Sequence, residues 1–274
     1  MEKRLITLGC SFTEFSWPTW ADWMGTVYPE YYNLGSGGSG NRFIFNKFTE
    51  LINSGKLNKD TDIVIQWTSL LRDDLIPRGQ TKYLGKGSVL HSGNYSLEYI
   101  SEYFNPYQNI VETTNYIRTI KCILDSRRIN YAMFFMLNPW DGTLLGEPWN
   151  TGDHPFSTHE KKKIDNALNE LKKEIEGNFI EESLSMYQAE YQEDAYFCYQ
   201  EKDKEIQVEG HPAPKTHYNY FIHKILPYFP ELQNILPNNT LSLHEWEVWA
   251  KLRMVENDKF TSKPKFPSAK SRII

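Results

Sequence analysis

The sequence predicts an α/β fold with a mainly parallel sheet, on three observations. Short apolar runs of strand type end in polar turns around residues 5–13, 31–41, 62–69 and 130–142. Segments of helical periodicity follow those turns. With 274 residues at 40% hydrophobic composition, the chain can bury one full core more readily than two small ones.

Leu5-Ile6-Thr7-Leu8 reads as a buried strand that delivers Gly9-Cys10-Ser11 to a sharp bend. Phe15 to Gly25, with Trp17, Trp20 and Trp23 three apart, reads as a short helix. Those tryptophans suit a core, or one of them could line a cleft and stack on a sugar. Tyr31 to Leu34 is the second strand, and the helical pattern from Phe43 to Ile52 stops at Gly55. Asp62 to Trp67 is the strongest strand and is expected at the centre of the sheet. Arg72 to Phe104 lacks periodicity and reads as a long excursion, a lid in form. A helix from Pro106 to Arg128 precedes a strand from Asn130 to Leu137, and Ser157 or Thr158 caps a charged helix reaching Gly177. Ala195 to Tyr199 is read as the last strand, and a helix follows the turn at His211-Pro212. Residues 1–237 form the α/β domain on this reading. Residues 238–274 add a helix, with a Ser242/Glu245 capping box, and a basic tail that offers a subunit-contact surface for a homo-oligomer or assembly.

A net charge of -5 argues against a broad nucleic-acid surface. No apolar run is long enough to span a membrane, and the first strand starts too early for a cleavable signal, so cytoplasmic synthesis is expected. Three scattered cysteines form neither a disulfide framework nor a metal-ligand pattern, and no cofactor is expected.

The chemistry starts with Ser11. An alcohol is a weak nucleophile until a base takes its proton, so a histidine is required, along with donors for an oxyanion. His211 stands in a Glu-Gly-His-Pro turn that enters a core helix; alone, such a residue is commonly a surface turn histidine. The glycine-rich turn Gly35 to Gly40 admits three readings: an oxyanion donor, a phosphate loop without its lysine, or a plain tight turn. In a parallel sheet every strand's carboxyl end shares one edge, so Ser11, this turn, Thr68, Ser69 and His211 can meet there.

That arrangement resembles the SGNH hydrolases, the GDSL-like esterases and lipases. Gly9-Cys10-Ser11-Phe12-Thr13 is similar to their nucleophile block, Gly38 five residues after Asn33 to their second, and Glu209 with His211-Pro212 to their last. The resemblance implies a three-layer αβα, flavodoxin-like fold with insertions and a C-terminal helical extension. It also implies a Ser11, His211, Glu209 triad and an oxyanion hole made by the Ser11 and Gly38 amides. Three departures stand out. Cys10 replaces the usual acid and is itself an alternative nucleophile. Glu209 lies two residues before the histidine, where many members carry Asp three before. The third block reads Trp67-Thr68-Ser69-Leu70, without the family's asparagine, so Ser69 or Thr68, or Asn138 from the next strand, would supply the missing donor. The expected activity is removal of a short acyl group, such as O-acetyl, from a carbohydrate or other small ester, without metal or organic cofactor. Lipid esters, acyl transfer to a second alcohol, and a silent glycan-binding or assembly module are the alternatives, with a nucleotide-binding protein third.

Overall fold

The computed structural model describes residues 3–76, 78–79, 87–89, 93–140, 157–184, 198–200, 206–208, 211–232, 243–246 and 248. Five parallel strands form the main sheet in the order β2-β1-β3-β4-β5. They are β1 (Arg4–Leu8), β2 (Glu30–Asn33), β3 (Thr61–Trp67), β4 (Asn130–Phe135) and β5 (Phe179–Ile180). Every residue of β3 is buried, as its apolar run requires for a central strand.

Alternation along each strand feeds two cores, one on each face of the sheet. Ile6, Leu8, Ile63, Ile65, Tyr131, Met133 and Phe179 face α2 (Asn41–Asn53), α4 (Pro106–Ser126) and α5 (Thr158–Glu174). Leu5, Val64, Ala132, Phe134 and Ile180 face α1 (Trp20–Gly25) and α6 (Pro214–Tyr220). The result is a three-layer αβα sandwich. The short α3 (Leu97–Glu102) lies in the excursion after β3.

Two sequence expectations are corrected. The first helix begins at Trp20, not Phe15, because the Asp22 carboxylate accepts the Thr19 amide at 2.9 Å and fixes the start there. The last strand of the main sheet is β5, only two residues long and too short for a periodic signal. Of the run expected to fill that place, Cys198 begins β6 (Cys198–Gln200), which pairs antiparallel with β7 (Ile206–Val208) in a separate two-stranded sheet. Ala195 itself lies outside the described residues. In the C-terminal extension a helical turn at 243–246 sinks Trp246 into the second core.

The chain crosses from β2 at one edge, past β1, to β3. Strand order therefore reverses between β1 and β3, where ligands sit in open α/β sheets. At the opposite, amino end, Asp62 is fully buried and accepts from Tyr28 Oη at 2.7 Å and Lys3 Nζ at 3.2 Å. Lys3 also reaches Glu231 at 2.6 Å.

Candidate active site

Ser11 lies in the turn directly after β1 and is 8% exposed. The turn is a tight one: the Thr13 and Glu14 amides both donate to the Cys10 carbonyl, at 2.9 and 3.1 Å. Gly9 is needed because a Cβ there would fall 2.0 Å from Thr13 Oγ1. Thr13 packs into that space so that its hydroxyl can donate to Gln66 Oε1 on β3 at 2.8 Å. The Thr13 carbonyl in turn accepts from the Thr19 hydroxyl at 2.6 Å and from Asn33 Nδ2 at 2.8 Å. The serine turn is thus fastened to β2, β3 and the start of α1. Cys10 is fully buried, its sulfur 3.2 Å from Met136 Sδ, which argues against it as the nucleophile.

His211 enters from the far end of the chain and packs against this same turn. Its ring stacks on Phe15 with centroids 3.8 Å apart and planes at 17°, and lies 5.4 Å from the Phe12 ring. Trp17 stands edge-on to Phe15 at 4.5 Å, and its indole N–H donates to the Pro212 carbonyl at 2.9 Å. Trp17 is buried, as a core residue should be, yet it also pins the histidine loop to the serine turn. The structure therefore brings Ser11 and His211 to one edge through aromatic residues on the serine's own segment. Glu209 lies outside the described residues.

The glycine turn meets the serine from β2. The Ser36 amide donates to the Gly9 carbonyl at 3.1 Å, and a Cβ built on Gly37 would point to Ser11 Cβ at 4.0 Å. Gly38 takes the left-handed conformation, φ 74°, and its carbonyl accepts from the Gly87 amide at 3.3 Å. Among the described residues the Ser11, Gly37 and Gly38 amides carry no hydrogen bond, whereas those of Gly35, Ser36, Ser39 and Gly40 are all engaged. The unspent donors belong to Ser11 itself and to Gly37 and Gly38, on the stretch of the loop that approaches the serine at Gly37.

At the end of β3, Thr68 is nearly fully buried; its amide donates to Asn41 Oδ1 at 2.9 Å, and its hydroxyl lies 3.9 Å from Met136 Sδ. The Ser69 hydroxyl accepts from the Leu71 amide at 3.2 Å, which leaves its own proton to give. Asn138 Oδ1 accepts from the Trp140 amide at 3.0 Å.

Three residues that shape this edge escaped the sequence reading. Asn41 spans from Thr68 to Thr113 Oγ1, at 3.1 Å, and so fixes the end of β3. Asp74 caps α2 from a distance; a helix whose N-cap, Gly40, has no side chain signals that a cap must come from elsewhere, but not from which residue. Its carboxylate occupies the Gly40 and Phe43 amides at the start of α2, where its negative charge argues against a phosphate. His217, on α6, is fully buried beside Phe12, ring centroids 6.4 Å apart, and neither ring nitrogen has a partner among the described residues. Burial, with a smaller contribution from His211, lowers its pKa to about 3, so it is neutral. No group of three or more metal-ligating side chains occurs among the described residues, and no helix there is long and apolar enough to cross a membrane.

No protein-family model matches the chain, and no curated protein matches it either. Solved structures do. A member of the lipolytic protein G-D-S-L family from Veillonella parvula DSM 2008 is similar over 84% of this chain and 100% of that one, at 13% identity and a TM-score of 0.41. An alpha/beta hydrolase enzyme from the metagenome of Lake Arreo, Spain, is similar over 86% of this chain and 97% of that one, at 12% identity and a TM-score of 0.44. Both are distant likenesses of fold.

Proposed function

We propose that this protein is a serine ester hydrolase of the SGNH type that removes a short acyl group, such as O-acetyl, from a carbohydrate. The observation that carries the reading is the stack of His211 on Phe15, which puts an imidazole against the turn that bears Ser11. His211 takes the Ser11 proton as the oxygen attacks the ester carbonyl; Glu209 orients the imidazole and stabilises its charged form. The oxyanion is received by the Ser11 and Gly38 amides and a hydroxyl from Ser69 or Thr68, with Ser69 the better donor because its proton is uncommitted. His211 then protonates the departing alcohol, and water repeats the sequence to release the acid. The abundance of Trp and Tyr in the chain favours a sugar alcohol over a long acyl chain.

The test is Ser11→Ala, assayed on acetylated glycans and short nitrophenyl esters, with a fluorophosphonate probe on the wild type. Turnover should fall by about 1000-fold or more while thermal unfolding stays unchanged. Retained turnover rejects Ser11. A wild type that binds glycans but neither labels nor hydrolyses is the silent module.

A further inference from the structure

The loop 35–40 carries side chains beyond hydrogen only at Ser36 and Ser39. Backbone so poor in Cβ atoms has many conformations of similar energy, so its amides must be aimed by something else. α2 cannot do it, because its N-cap is Gly40. Asp74 reaches in from the excursion after β3: Oδ1 accepts from the Gly40 amide at 2.6 Å and Oδ2 from the Phe43 amide at 2.7 Å. Charge-assisted bonds of this length are among the stronger ones a protein makes. The side chain is nearly fully buried; burial raises its pKa and the two amides pull against that rise. Gly40 fits the contact closely, since a Cβ there would lie 2.8 Å from Asp74 Oδ2. The same excursion grips the loop twice more, with Arg72 Nη1 donating to the Ser39 carbonyl at 3.1 Å and the Gly87 amide to the Gly38 carbonyl at 3.3 Å.

We infer that Asp74 is a positioning residue for the oxyanion hole: it fixes the loop so that the Gly37 and Gly38 amides face Ser11 before substrate arrives. The inference rests on the hydrolase reading above. Donors stabilise a developing oxyanion most when they need not reorganise, so a loop released from Asp74 should bind substrate normally and react slowly.

Asp74→Asn keeps the side chain's shape but turns one acceptor into a donor. Gly40→Ala leaves the carboxylate in place and drives a methyl against it. Each should lower kcat on a short nitrophenyl ester by about 10- to 100-fold, leave KM within about threefold, and slow fluorophosphonate labelling of Ser11 in proportion. Circular dichroism should stay that of the wild type. In the Asp74→Asn background, Gly40→Ala should cost less than about threefold more, because both changes act on one contact. A folded Asp74→Asn protein with wild-type kcat overturns the inference, and so does a loss expressed in KM alone; if that variant does not fold, Gly40→Ala decides by the same criteria. A wild type that neither labels nor hydrolyses ester overturns the hydrolase reading, and the inference with it.

Discussion

The two ends of the sheet handle their polar groups in opposite ways. At the amino end Asp62, Tyr28, Lys3 and Glu231 form a closed set in which the buried carboxylate has both a hydroxyl and an ammonium as donors. At the carboxyl end the Ser11, Gly37 and Gly38 amides have no partner among the described residues, and neither do the two ring nitrogens of His217. Gly37 is exposed and Gly38 partly so, which leaves their amides open to an incoming group, whereas keeping the buried His217 ring without a partner costs stability. The amino end stabilises; the carboxyl end holds donors in reserve.

Substitutions at the two ends should therefore separate stability from turnover. The largest effect on stability is expected from Asp62→Ala, which strands the buried Tyr28 hydroxyl and leaves Lys3 only its bond to Glu231. Denaturant unfolding should show a loss of about 2 to 4 kcal/mol, with kcat per folded molecule unchanged. A fall in kcat would mean that the two ends are coupled.

His217 sharpens the contrast through pH. In the unfolded chain it takes up a proton near its ordinary value of 6.5, whereas in the fold it resists protonation down to about 3. The stability tied to its neutral form is complete above pH 6.5 and is lost as pH falls towards 3. His217→Leu removes that dependence. Between pH 7 and pH 4.5 the wild type should lose about 2 to 3 kcal/mol more than the variant, read as the difference between their unfolding free energies. Parallel curves would show that the ring is protonated or solvated in the native state.

Trp17→Phe is expected to give the smallest effect. It keeps an aromatic edge against Phe15 but deletes the indole N–H that holds the Pro212 carbonyl. Stability should fall by about 1 kcal/mol and kcat by about tenfold, with KM little changed, as the His211 loop loosens. An unchanged kcat would assign the positioning of His211 to the Phe15 stack alone.

Much of this architecture was legible in the chain because it depends on local chemistry. The all-buried run of β3 announced a central strand, and Ser157 with Glu160 forms the capping box that starts α5. Gly9-Cys10-Ser11 ended an apolar run with turn residues, which is enough to put a hydroxyl at a strand's carboxyl end. β5 was not legible, since two residues give no period. Asp74 was not legible either, because it caps a helix whose first residue lies more than thirty positions earlier; |i−j| for its bond to Gly40 is 34.

The sequence by itself determined most of the strand and helix pattern, the serine at the first turn, and the histidine in a Gly-Pro turn before the last core helix. Those features follow from periodicity and turn chemistry within a few residues of each position. Tertiary structure alone decided that Phe15 would stack on His211, that Trp17 would tie down Pro212, and that Asp74 would hold the glycine loop. Each of those contacts joins residues far apart along the chain. No local signal encodes them, because they exist only once the sheet has brought the carboxyl ends of its strands to one edge.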